Sequence, residues 1–234
     1  MNTILDVQGI HSYIKQYHIL QGVDVNVPEG TITTILGRNG AGKTTTLKSI
    51  LGLASVRSGK ILFEGKEVRG MAPYDIASLG IGYVPEHRAI FRDLSVEENL
   101  KIAERKKGDY ERKRDFVFDL FPDLKKFLSI PGTSLSGGQQ QMLAIARSLI
   151  ADNRLLLIDE PSEGLAPVII EHMMEVIRQL SQTITVVLVE QNFTVASRLA
   201  EFYVIIEEGR SVKAGKMGEL VTDKAAIHRY LGAA

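Results

Sequence analysis

The spacing of apolar residues divides the chain into three zones. In the first, Val23, Val25 and Val27 alternate with Asp24 and Asn26, the pattern of a strand with one buried face. Residues 31–36, Thr-Ile-Thr-Thr-Ile-Leu, form a β-branched run that ends at Gly37. A helix is expected from near Gly42 through Leu47 and Ile50 to a stop at Gly52. Residues 61–63 and 81–84 read as further short strands. From about 86 to 150 the strand pattern disappears, and Ser95 with Glu98 predicts a capping box ahead of helical or looped structure. Beyond 150 the alternation returns: a strand at 155–158, a helix opening at Pro167, and strands at 185–189 and 203–206. This succession predicts an α/β fold whose largely parallel sheet is covered by helices. In the helix after Pro167, Met173 and Met174 share helical spacing with Ile169, Ile170, Ile177 and Leu180, so both methionines read as core.

With 234 residues, 44% hydrophobic and 24% charged, the chain can bury a sizeable core as one large domain. Its 28 basic and 28 acidic side chains balance, so no broad attraction to nucleic acid is expected. The absence of cysteine excludes disulfides and thiolate metal sites. No apolar run approaches the roughly 20 residues that span a bilayer, no secretory signal is visible at the start, and the chain is expected to be soluble. The mixed-charge run 104–114 reads as the solvated face of a helix-loop-helix, with a docking surface as the alternative.

Between the strand at 31–36 and the helix after it lie Gly37, Arg38, Asn39, Gly40, Ala41, Gly42, Lys43, Thr44 and Thr45. Glycines let successive backbone N–H groups turn inward on an anion, and the helix N-terminus adds partial positive charge. In such a loop Lys43 meets the β- and γ-phosphates of a nucleotide and the Thr44 hydroxyl meets Mg²⁺. Composition alone would yield this pattern in roughly one chain of this length in a hundred. The strand at 155–158 then delivers Asp159 and Glu160 to its C-terminal end, where open parallel sheets collect ligands. Asp159 suits a hard cation such as Mg²⁺. Glu160 suits polarisation of an attacking water. The five histidines are scattered without ligand spacing, so no other metal site is expected.

Residues 135–141, Leu-Ser-Gly-Gly-Gln-Gln-Gln, precede a helical run about two dozen residues before the Asp-Glu pair. They resemble the signature motif of ABC-type ATPases, with Ser136, Gly137 and Gly138 at a helix N-terminus suited to phosphate. The resemblance covers essentially the whole chain. It implies a P-loop NTPase fold of the α/β class: a single domain over 1–234, with an ATP-binding core at 1–85 and 151–234. A mostly parallel core sheet, an antiparallel β part near the N-terminus and a helical subdomain at about 86–150 complete the implied fold. It also implies ATP and Mg²⁺ as cofactors, and a second ATPase subunit, identical or paralogous, whose signature motif faces this phosphate loop. Membrane permease subunits would contact the helical subdomain, a solute-binding protein would take part indirectly, and the chain would lie peripherally on the cytoplasmic face of the inner membrane.

Four positions depart from the usual family pattern. Glu86 stands where a glutamine is usual, and either binds Mg²⁺ or water or is a solvated loop residue. Gln191 replaces a histidine; its amide can donate to a γ-phosphate oxygen or cap the next helix, but it cannot carry a proton charge. Ala166 replaces an aspartate. The aromatic expected against adenine is either Tyr13 or Tyr17, which flank Ile14. Together with Tyr230-Leu231-Gly232 near the end, these departures resemble the ATPases of importers for branched-chain amino acids and for urea or short amides. The alternatives are a lipid or lipopolysaccharide export ATPase, a non-transport ATP-driven switch and a non-catalytic binding module.

Overall fold

The computed structural model describes residues 2–232. The chain opens with β1 (Thr3–Ile14), β2 (Tyr17–Pro28), β3 (Ile32–Leu36), α1 (Lys43–Ile50), β4 (Ser55–Phe63), β5 (Lys66–Glu67), α2 (Pro73–Ser78) and β6 (Ile81–Val84). Next come α3 (Val96–Lys101), α4 (Asp109–Leu120), α5 (Pro122–Lys126) and α6 (Gly137–Ser148). The last third holds β7 (Leu155–Asp159), α7 (Pro167–Ser181), β8 (Thr185–Glu190), α8 (Phe193–Leu199), β9 (Phe202–Glu207), β10 (Arg210–Lys216), α9 (Met217–Thr222) and α10 (Lys224–Ala226).

Two sheets result. The larger has the order β10-β9-β3-β8-β7-β6, parallel throughout except for β10 at its edge. The smaller, β2-β1-β4-β5, is antiparallel. Alternate residues of the central strands face opposite ways and both faces are covered, hence the unbroken apolar runs. Ile35, Leu157, Val187 and Val189 pack against the smaller sheet and α1, whereas Leu36, Ile158 and Leu188 pack against α6, α7 and α8. Met173 and Met174 are buried on the second side, as their spacing predicts.

No strand lies between β6 and β7 among the described residues, where α3 and α6 each start from a complete capping box. The charged run 104–114 is not simply a solvated face. Asp109 and Tyr110 are buried, and the Asp109 carboxylate accepts the N–H groups of Arg105 and Lys106 at 3.1 and 2.8 Å. Arg105 donates to the Ile81 carbonyl at 3.1 Å, and Lys113 pairs with Asp152 at 2.7 Å. Arg105 and Lys113 therefore tie the run to the start of β6 and to the loop after α6, while Asp109 closes its own turn.

Strand register decides where chemistry collects. Leu36 lies beside Glu190, and Asp159 beside Val189. The loops leaving β3, β7 and β8 consequently emerge together at one sheet edge.

Candidate functional site

The loop from Gly37 to Gly42 leaves β3 and enters α1 with no side chain capping that helix. Two glycines are required by their surroundings. A Cβ on Gly37 would sit 2.3 Å from the Ile206 carbonyl oxygen, and one on Gly42, at φ +111°, would sit 2.8 Å from Leu20 Cδ2. Among the described residues no protein acceptor takes the N–H groups of Gly42, Lys43, Thr44 or Thr45. Helix starts with orphan donors of this kind accept an anion readily. Arg38, Asn39 and Gly40 are exposed at the rim, while Ala41, Gly42, Lys43 and Thr45 are buried.

Lys43 Nζ donates to the carbonyls of Gly37 at 2.9 Å and Arg38 at 3.2 Å, and pairs with Glu160 at 3.0 Å. All three ammonium protons thus have acceptors. Glu160 is held at φ +44°, a left-handed conformation uncommon outside glycine, with its own N–H on the Val189 carbonyl at 2.9 Å. Asp159 is fully buried; one of its oxygens accepts the Thr44 hydroxyl at 3.0 Å and the other the Tyr83 hydroxyl at 3.3 Å. Burial pushes its carboxyl up to about 6, with the charges of Glu160 and Glu86 adding to the effect and the two hydroxyls opposing it. Burial and the neighbouring Asp159 likewise raise the Tyr83 phenol above its ordinary value. Tyr83 is a member of the site that its strand position alone did not reveal.

A cleft of about 410 Å³ opens over the loop, lined by Gly40, Gly42, Lys43, Thr44, Glu86 and Glu160 among others. Its donors are N–H groups, an ammonium and hydroxyls. Oxygens of Thr44 and Glu86 face it, with the Asp159 carboxylate directly behind Thr44, a set that fits a phosphate chain with a hard cation. Among the described residues no three His, Cys, Asp or Glu side chains form a metal cage, so a cation here would complete its shell with phosphate oxygens and water.

Tyr13 and Tyr17 do not line this cleft; Ile14 and Ile19 do. The reason is strand alternation: Tyr13 faces away from Ile14, stacks on His18 at 4.3 Å between ring centroids and carries the Arg57 guanidinium 4.0 Å over its ring. Tyr17 is 63% exposed at the start of β2, outside the cleft lining.

Ser136 caps α6: its hydroxyl accepts the Gln139 N–H at 3.3 Å, while the Gln139 side chain accepts the Ser136 N–H at 2.8 Å. Ser136 and Gly137 are exposed and, with Gly138, are absent from the lining of the nucleotide-sized cleft of their own chain. Gln191 is exposed after β8 and shares a smaller cleft of about 370 Å³ with Glu160, Ser162, Glu163, Glu190 and Asn192. The following helix is capped by Asn192, whose side chain accepts from Thr194 and Val195, so capping does not occupy Gln191. Glu190 ends a buried strand as a carboxylate, a signal that sequence reasoning left unused.

The family model described as ABC transporter matches residues 20–163, which include the phosphate loop, the signature segment and the Asp159-Glu160 pair. The chain belongs to the ABC transporter ATPase family. This ABC ATPase is 41% identical over 98% of its length to the whole of BraG, a high-affinity branched-chain amino acid transport ATP-binding protein of Pseudomonas aeruginosa. It is 38% identical to the probable branched-chain amino acid transport ATP-binding protein LivF of Archaeoglobus fulgidus, over 88% of this chain and 89% of that one. Against the lipopolysaccharide export ATP-binding protein LptB of Escherichia coli the identity is 29%, over 97% of each. Its fold matches the solved ADP conformation of an ABC transporter cassette with a TM-score of 0.87 over 100% of both chains, at 22% identity. The chain accordingly binds and hydrolyses ATP. No helix among the described residues is long and apolar enough to cross a membrane.

Proposed function

We propose that the chain is the energy-coupling ATPase of an importer for branched-chain amino acids or related polar solutes such as urea or short amides. The observation that carries the catalytic part is the meeting of Lys43 and Glu160 at 3.0 Å beside the Thr44–Asp159 hydrogen bond. Likeness to BraG along the full length supports import over export.

In this reading the N–H groups of Gly42, Lys43, Thr44 and Thr45 cradle the phosphates, with Ile14 and Ile19 as the apolar wall for the base in place of Tyr13 or Tyr17. Thr44, Asp159 and Glu86 would hold Mg²⁺, which supplies charge neutralisation on the phosphate oxygens. An incoming phosphate competes with Glu160 for Lys43. Once released, the Glu160 carboxylate can accept a proton from an attacking water. Gln191 donates an amide N–H to a γ-phosphate oxygen as negative charge builds.

Because Ser136, Gly137 and Gly138 stand apart from the cleft, they serve the nucleotide of a second ATPase subunit, identical or paralogous. The helical segment 86–150 contacts the permease. The chain would then sit peripherally on the cytoplasmic face of the inner membrane, with a solute-binding protein acting on the far side. Co-reconstitution with the permease subunits in proteoliposomes tests the assignment through ATP-dependent leucine or urea uptake. Uptake that follows ATP hydrolysis supports it; ATP hydrolysis stimulated only by a lipid-extracting permease, without uptake, overturns import.

A further inference from the structure

We propose that Glu190 is a positioning residue that fixes the loop bearing Glu160 against the loop bearing Gln191. This rests on reading those two residues as water activator and phosphate contact.

Glu190 is the last residue of β8 and is 1% exposed. Its carboxylate accepts the Ser162 N–H at 3.2 Å, the Ser162 hydroxyl at 2.9 Å and the Asn192 N–H at 3.3 Å. Ser162 lies two residues beyond Glu160, and Asn192 immediately follows Gln191. One side chain therefore ties down both loops at their first turn. It does so beside the phosphate loop as well, because Glu190 pairs with Leu36, the residue before Gly37.

The chemistry of the three donors argues that a carboxylate is needed and that packing is not the point. All three are uncharged and no cation among the described residues pairs with this buried carboxyl, a costly choice for mere filling. Both carboxyl oxygens accept here, and in its ionised form the group meets all three converging donors, whereas an amide would turn its own N–H₂ toward one of them. The loop being held is one that needs holding, since Glu160 sits at φ +44°. Loss of the tie lets Glu160 and Gln191 move independently. Displacement of such groups by about 1 Å costs on the order of 100-fold in rate while leaving ground-state binding nearly intact.

The test compares wild type, Glu190→Gln, Glu190→Ala, Ser162→Ala and the Glu190→Ala/Ser162→Ala double variant in full-length protein. Steady-state ATP hydrolysis, ATP affinity and thermal melting are measured for each. The expected result is a fall in kcat of about 10- to 100-fold in Glu190→Gln and Glu190→Ala, with KM for ATP within about threefold of wild type. A smaller fall is expected in Ser162→Ala, with no further loss in the double variant. Two outcomes overturn the proposal: wild-type kcat in a folded Glu190→Gln, or losses of kcat and ATP affinity in equal proportion. Glu160→Gln, run in parallel, separates the two levels. If it turns over at the wild-type rate, the reading of Glu160 fails and this inference with it; if it is inactive while Glu190→Gln is fully active, this inference alone fails.

Discussion

Replacing Glu190 with glutamine should change how the stability of the nucleotide-free chain depends on pH. Burial carries the Glu190 carboxyl from 4.5 up to about 7, against hydrogen bonds from Ser162 and Asn192 that favour its charged form. The folded chain therefore holds this proton more tightly than the unfolded chain does. Its stabilising contribution is complete below pH 4.5 and is lost as pH rises through about 7. At the limits that difference is worth roughly 3 kcal/mol, and most of it falls between pH 5 and pH 8. Glutamine carries no proton to lose, so Glu190→Gln lacks this slope. Asp159, raised to about 6, adds a slope of the same sign, but in both proteins, and it cancels in the difference.

The assay is urea unfolding followed by circular dichroism at pH 5, 6, 7 and 8 at constant ionic strength. Relative to wild type, Glu190→Gln should gain roughly 2–3 kcal/mol on passing from pH 5 to pH 8, with an unchanged m value. Parallel profiles, differing by a constant within about 0.5 kcal/mol across the range, would refute the reasoning.

Three further outcomes are expected. Glu160→Gln should lower kcat by at least about 100-fold while ATP binding, followed by equilibrium dialysis, stays within a fewfold of wild type. Gln191→Ala should slow hydrolysis by roughly 100-fold with little change in ATP affinity; equal losses in rate and affinity would remove it from phosphate contact. In Gly42→Ala, the left-handed backbone and the 2.8 Å approach of Leu20 should together cost about 2 kcal/mol, seen as a melting point lower by about 5 °C, and ATP affinity should fall with it.

What the sequence disclosed about this site was the local part. The phosphate loop, the capping boxes at Ser95 and Ser136, and the delivery of Asp159 and Glu160 by an apolar strand are each written within a few consecutive residues. β1 escaped notice because its alternation is broken: register shifts fall between Val7 and Ile10 and again between Ser12 and Tyr13. β10 escaped because an exposed edge strand carries no apolar stripe. Tyr13, expected against the base, misses the cleft lining by a single position, and in a strand a single position is the opposite face. The bond from Glu190 to Ser162 spans 28 residues, and only the pairing of β7 with β8 brings its ends together.

The departures at positions 86 and 191 bear on one electrostatic problem. Among the described residues lining the nucleotide-sized cleft, Lys43 is the one basic side chain, facing Glu86, Glu160 and Glu163, with Asp159 buried behind Thr44. Like charges about 4 Å apart repel by about 4 kcal/mol at an effective dielectric of 20. A polyphosphate entering alone would meet that repulsion from several carboxylates, with an ammonium already satisfied by Gly37, Arg38 and Glu160. Binding must therefore bring a cation of its own and prise Glu160 from Lys43. The second requirement is useful, because the carboxylate proposed to activate water stays neutralised by Lys43 until phosphate takes its place. An imidazolium at 191 would have added positive charge to this balance; the glutamine there adds only a dipole. Charge compensation would then fall on the incoming cation, for which Glu86, lining the cleft, is one proposed oxygen ligand.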